Sequence, residues 1–404
     1  MRDGRTRGDN HRRAARGKPA RGKPARGKPA TYKHQPLSRS LDEIRLLKLR
    51  KEEHGPVHCE VEVFSLEQAP EYIALSYRWG PPSPSHDIFI GDQGLKIRDI
   101  LHACLLELRE DVDTWLWIDQ ICIAQVDTTE RNHQVGMMSR IYSNATSVII
   151  WLSDVPLATP GEVDRFNDRD LDEKTGEEIM LNTYFKRLWI IQELLLAKKI
   201  KVCINGHRSV TWSTLQKRLQ NCVGYDPASR LNKCRSAVYL LVYTKEDMPK
   251  RALPLLSCIQ GFGNSECQEP RDLIFGLMGI TAIEDRVTVD YEKSVLDVYL
   301  DAVNILMDKL PRPCGGNPTI HHLEMLGRGM RIDSSLRQGL MPLLKDLAHC
   351  NHDDSITPVR FEKAGSAQDP DCWRYERNGK RLSFACPPAM PRYPHPNHPY
   401  WHSQ

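Results

Sequence analysis

No stretch of the sequence reaches the run of about 18 apolar residues that crosses a bilayer as a helix. No apolar segment follows the basic N-terminus either, so nothing reads as a secretory leader. Twelve cysteines are present, yet none stands in a CxxC pair. The close ligand pairs of a zinc site are therefore missing. Cys104, Cys122, Cys203 and Cys258 lie in apolar runs instead, the pattern of reduced, buried thiols. The signatures GxGxxG after a strand, GxxxxGK(S/T), GxSxG and HExxH are absent. The glycine-rich "GFGNSE" (261–266) opens no clear helix and reads as a turn. These absences lead us to expect a soluble, cytoplasmic protein with no membrane span, no metal and no resident cofactor.

The charge is unevenly spread. The formal net charge is +4, but residues 1–30 hold 11 Lys and Arg against 2 Asp, a local +9. The other 374 residues therefore sum to about −5. A mildly acidic body offers no basic face for nucleic acid. Within the tail, RGKPA occurs three times between 16 and 30. That period is too short for a solenoid unit, and its largest apolar group is alanine. We expect residues 1–40 to be disordered, with at most a weak pull towards anionic surfaces.

Order is expected from about residue 41. "IRLLKL" (44–49) is short and apolar, and "VHCEVEVF" (57–64) alternates with one wet face. "YIALSY" (72–77), "TWLWIDQICI" (114–123), "SVIIWLS" (147–153) and "IKVCING" (200–206) read as buried strands. Between them, Ile97, Ile100, Leu101, Cys104, Leu105 and Leu108 recur at helical spacing. Asp127 and Glu130 open a further helix with a capping-box spacing. Residues 154–180 read as a loop, and "YFKRLWIIQELLLAKK" (184–199) as an apolar helix. Apolar strands alternating with helices predict an α/β fold with a parallel sheet covered on both faces. That unit spans 41–206. A mainly helical stretch follows over 207–310, where Ser294 and Asp297 begin another helix. An irregular Pro/His-rich tail is expected over 311–404.

Three charges interrupt apolar elements. Arg78 follows "YIALSY", Asp119 follows "WLWI", and Glu193 lies inside "LWIIQELLLA". Burying such groups unpaired is costly, so each is expected to be paired or functional. Arg78 and Asp119 fall at carboxyl ends of strands, where open α/β sheets bind ligands. Two readings stand side by side. One is a structural Arg78–Asp119 ion pair with Glu193 on a wet helix face. The other is a pocket with one carboxylate acid/base and a cationic anchor.

"YIALSYRWG", "LWIDQICIAQVDTTERNHQVGMMSRIYSNATSVIIWLS" and "KRLWIIQELLLA" resemble the three blocks of the fungal heterokaryon incompatibility (HET) domain. "RDLIFGLMGI" and "VDYEKSVLDVYLDAV" resemble the segment that often follows it. The resemblance covers roughly residues 42–305. Two positions depart from it: Ala124 where the family usually has Asn, close to the expected pocket, and Ser153 where Gly is usual. The resemblance implies a role in fungal non-self recognition and regulated cell death. It implies self-association or another incompatibility-locus protein as partner. It also implies a distant likeness to TIR domains, and so a TIR/flavodoxin-like parallel sheet flanked by helices. Some TIR domains cleave NAD with a helical Glu that follows a Trp, as Glu193 follows Trp189 here. By that likeness Glu193 is the catalytic carboxylate, and Ser76, Arg78, Trp79, Asp119 and Trp189 surround the substrate. NAD is then a substrate and not a cofactor. The alternative that the resemblance leaves open is a non-catalytic signalling scaffold.

Overall fold

In the computed structural model the described residues are 29–52, 54–153, 179, 181–205, 209–222, 252–308 and 318–349, with three short strands between 362 and 385. Residues 1–28 of the basic tail, most of the 154–180 loop and about half of the His/Pro-rich end lie outside them.

The chain begins with β1 (Ala30–Thr31), β2 (Glu43–Leu49), β3 (His58–Ser65) and β4 (Tyr72–Tyr77). Next come β5 (Ser85–Ile90), β6 (Gln93–Arg98), α1 (Asp99–Asp111), β7 (Trp115–Trp117) and the one-turn α2 (Asp119–Cys122). They are followed by α3 (Thr128–Asn144), β8 (Ser147–Leu152), α4 (Ile190–Leu195), β9 (Ile200–Ile204), β10 (Ser209–Thr211) and α5 (Trp212–Cys222).

These strands form one mixed sheet in the order β1-β6-β5-β3-β2-β7-β4-β8-β9-β10. Its centre, β7-β4-β8-β9, is parallel throughout. Counted along the chain, those four strands run 2-1-3-4, the order of a flavodoxin-like doubly wound sheet. The strand order reverses between β4 and β8. The sheet is wider and less uniformly parallel than the sequence suggested. β2 runs antiparallel to β3 and β7, and β10 antiparallel to β9.

Side-chain alternation sorts each central strand between two cores. Tyr72 and Ala74 of β4, with Val148, Ile150 and Leu152 of β8, face α3 and α4. Leu75 and Tyr77, with Ile149 and Trp151, face Leu101, Cys104, Leu105 and Leu108 of α1. Both faces are covered, which explains the near-continuous apolar runs.

Three expectations are corrected. Ile97 fits the helical stripe but belongs to β6, which Gly91 and Asp92 join to β5 as a two-residue hairpin. Gly91 takes the left-handed φ of 58° that such a turn needs. "TWLWIDQICI" is a strand only to Trp117, so Asp119 starts α2. "YFKRLWIIQELLLAKK" is helical only over α4, preceded by a single 3-10 turn at Thr183–Lys186.

The cap at Asp127 was read correctly, but Glu130 does not close the box: its carboxylate turns to Arg45 and the Ala124 N–H. Asp127 accepts from the backbone N–H of Thr129 and Glu130 at the start of α3. Asp127→Ala is expected to cost about 1 kcal/mol, read as a shift in the urea midpoint. An unchanged midpoint would show that α3 does not depend on its cap.

Beyond the sheet lie α6 (Leu255–Phe262), the one-turn α7 (Asp272–Phe275) and α8 (Val295–Asp308). Ser294 and Asp297 form a reciprocal capping box at 3.1 Å in both directions. The tail expected to be irregular from 311 instead carries α9 (Pro318–Gly329) and α10 (Ser334–His349). Ile320, Leu323, Leu326, Leu340 and Leu344 pack these helices onto the core that covers α3 and α4. Further on, β11 (Glu362–Lys363), β12 (Cys372–Arg377) and β13 (Lys380–Ala385) form a small antiparallel sheet. No described helix is long and apolar enough to cross a membrane.

Candidate functional site

The alternation that sends Tyr72 and Ala74 to one face sends Ser76 there too, as the last polar group before β4 ends. Ser76 is 1 % exposed. Its hydroxyl donates to Glu193 Oε2, and Tyr184 Oη, 2.5 Å away, donates to Ser76 in turn. A serine has one proton to give, so this direction holds while Glu193 is ionised. Glu193 comes from α4 and is 2 % exposed. Burial pushes its carboxyl up to about 7, although Arg187 and Ser76 both favour the charged form.

Arg187 lies just before α4 and donates to the Tyr77 carbonyl at 2.5 Å. Its charge acts on Glu193 and Asp119 alike. Asp119 accepts from Trp79 Nε1 at 2.8 Å. Its own carboxyl is raised by burial, against the pull of Arg187 and Trp79. The Arg98 guanidinium lies 5.0 Å over the Trp79 ring. Thus Ser76, Trp79, Asp119 and Glu193 gather at the carboxyl ends of β4 and β7, beside the reversal in strand order.

Arg187, which the sequence reading passed over, is a cation that both carboxylates feel. Arg78 is half-buried at the end of β4. The signal for Arg187 was slight, because "FKRLW" reads as an ordinary helix face. Trp189 is not in this group. Its indole donates at 3.0 Å to Asp272, which also accepts from Tyr291 Oη at 2.5 Å. Asp272 is a second buried carboxyl pushed up to about 7, chiefly by burial. Arg131 and Arg271 cover the Tyr291 ring at 4.4 and 5.5 Å. This cluster ties α4 to the segment after the sheet.

A third polar group was missed. Arg45, inside the apolar "IRLLKL", is wholly buried. It forms a two-pronged pair with Glu130 at 2.6 and 2.8 Å and also donates to the Cys122 carbonyl. Ala124, the family departure, gives its backbone N–H to Glu130 at 2.7 Å. That position therefore serves the Arg45–Glu130 pair and lies apart from Glu193. Among the described residues no cluster of three or more His, Cys, Asp or Glu could hold a metal ion.

Comparison with known proteins agrees with this frame. Residues 72–193 match the family "Heterokaryon incompatibility protein (HET)". These bounds run from the first residue of β4 to Glu193. The chain is similar to "Heterokaryon incompatibility protein 6, OR allele" of Neurospora crassa, at 29 % identity over 50 % of this chain and 38 % of that protein. It is also similar to "Vegetative incompatibility protein HET-E-1" of Podospora anserina, at 24 % identity over 33 % of this chain and 10 % of that protein. The match thus spans well under half the length of either relative. No solved structure matches. Residues 72–193 thus carry the match to the HET domain, and both relatives are named as incompatibility proteins.

Proposed function

We propose that the protein acts in heterokaryon incompatibility as a signalling module of non-self recognition, and that it does so by cleaving NAD at a TIR-like site. The observation that carries this reading is Glu193: a buried carboxyl near pKa 7 where the strand order reverses. In the reaction the bond between ribose C1′ and the nicotinamide nitrogen breaks, and its electron pair leaves with neutral nicotinamide. The ribose takes on oxocarbenium character, which an ionised Glu193 stabilises. Water then adds at C1′ and loses a proton, giving ADP-ribose. No strong general acid is needed, because the leaving group departs from a cation. Ser76 and Tyr184 orient the Glu193 carboxylate, and Arg187 favours its charged form. Arg78 supplies a cation for the pyrophosphate and Trp79 a flat edge for a ring. Trp189 acts at one remove, by fixing α4 through Asp272. The outcome in the cell is regulated death, triggered by self-association or by another incompatibility-locus protein.

The test is nicotinamide release by the full chain, across protein concentration and with a crowding agent. Glu193→Gln is expected to lose at least about 100-fold while melting no lower than wild type. A second reading is favoured by the burial of Glu193, whose Oε2 is already engaged by Ser76. In it the domain is a scaffold that signals by assembly. Wild-type protein that kills cells yet releases no nicotinamide at any concentration would select the scaffold.

A further inference from the structure

A cavity of about 350 Å³ opens between α3, α4 and the segment from Phe275 to Val289. That volume is in the range of small-molecule sites. Its wall includes Gln192, the neighbour of Glu193. Gln192 is 2 % exposed, and its Nε2 has no hydrogen-bond partner. A buried amide donor without an acceptor is costly and is normally satisfied. Met137, Phe275, Met278 and Val287 make the rest of the wall largely apolar. At the rim stands Arg286, anchored through Nε to the Thr281 carbonyl at 2.8 Å, with its guanidinium exposed. The rim acid, Asp42, is already engaged by Arg140 and His133. The charge left over at the mouth is therefore positive, and the unmet amide donor lies just behind the wall, one side-chain rotation from the cavity.

Two glycines keep the space open. A Cβ on Gly279 would collide with Gln192 Oε1, whereas one on Gly136 would meet nothing within 4 Å. We propose that this cavity is a ligand site for a small organic phosphate of nucleotide size, its anionic end on Arg286 and its acceptor-bearing body against Gln192. The site is separate from the Glu193 cluster and does not depend on NAD cleavage.

The experiment is calorimetric titration of the full chain with AMP as probe and adenosine as its uncharged counterpart. AMP is expected to bind one to one, and adenosine at least about tenfold more weakly. Arg286→Gln and Gln192→Leu are each expected to weaken AMP by at least about tenfold. Gly136→Leu fills the cavity from an exposed helical position, so it is expected to abolish binding and keep the fold. Glu193→Gln is expected to leave AMP binding unchanged, which separates this site from the proposed NAD site. Absence of AMP binding at millimolar concentration overturns the proposal. So does AMP binding that survives Gly136→Leu, or adenosine binding as tightly as AMP. If Gln192→Leu melts poorly, Gly136→Leu and Arg286→Gln still decide the matter.

Discussion

Glu130→Ala is expected to destabilise the protein by about 3–5 kcal/mol, because it strands a guanidinium in the core. Arg45 has 1 % of its side chain exposed and sits between β2, α2 and α3. Nη1 reaches Glu130 and Cys122 O, and Nη2 reaches Glu130 and Gln35 O. Only Nε lacks a partner. Removing Glu130 leaves that charge without a counter-ion and frees the Ala124 N–H. Replacing both partners at once, Arg45→Met with Glu130→Leu, is expected to fall within about 1–2 kcal/mol of wild type, since no charge is then buried. Urea unfolding of the two singles and the double closes the cycle. A Glu130→Ala loss below about 1 kcal/mol would show that water reaches Arg45. The pair also sets the acid side of the stability profile. Burial works against it, but Arg45 holds the Glu130 carboxyl below its usual value. Its contribution is present above the ordinary carboxylate pKa and is lost as pH falls through the depressed one.

Glu193 acts in the opposite sense. Its carboxyl moves from 4.5 to about 7 on folding. The unfolded chain ionises first, so the protonated native form is favoured most at low pH. The contribution is complete below pH 4.5 and is lost as pH rises to about 7. The span corresponds to about 3 kcal/mol. Asp272, which moves from 3.8 to about 7, adds a loss of the same sign. Glu193→Gln fixes the neutral form. It is expected to match wild type near pH 4.5 and to exceed it by about 3 kcal/mol at pH 8. Thermal melts across that range read the difference. Parallel profiles for the two proteins would mean that Glu193 ionises normally and that solvent reaches it. The same variant removes the negative charge on which the proposed chemistry depends. A gain in stability with a loss of nicotinamide release would mark a carboxylate kept at a cost for its activity.

The strands Tyr72–Tyr77 and Ser147–Leu152 were legible because both of their faces are covered, and apolar runs follow from that. Asp127 and Ser294 were legible because an oxygen just ahead of a helix has few other uses. The polar breaks Asp119 and Glu193 did mark a cluster, with Ser76 and Trp79 beside them. Arg187 was hidden because Asp119 and the Tyr77 carbonyl, which it also serves, lie far away in the chain. Arg45 met the same criterion as Asp119, a charge inside an apolar run, but its run was read only for its leucines. The tail misled by composition. Pro, Gly and His between 311 and 349 concealed Ile320, Leu323 and Leu326, which recur at helical spacing. Trp189 and Glu193 looked like one site because they are a helical turn apart. Yet the indole bonds to Asp272 while the carboxylate turns to Ser76.

The core that α9 and α10 complete sets a limit on how the module can be cut and moved. A fragment with the family bounds, 72–193, would keep β4 and β8 but lose β2, which is hydrogen-bonded to β7, and β9, which flanks β8. Both cut edges would offer unpaired backbone to other chains. Stopping near residue 310 would strip Ile320, Leu323, Leu326, Leu340 and Leu344 from the surface they cover. A graft meant to carry the Glu193 cluster into another protein should therefore start before Gln35, whose carbonyl serves Arg45, and run past Leu344. What sequence comparison delimits as a domain is here the inner part of a larger body.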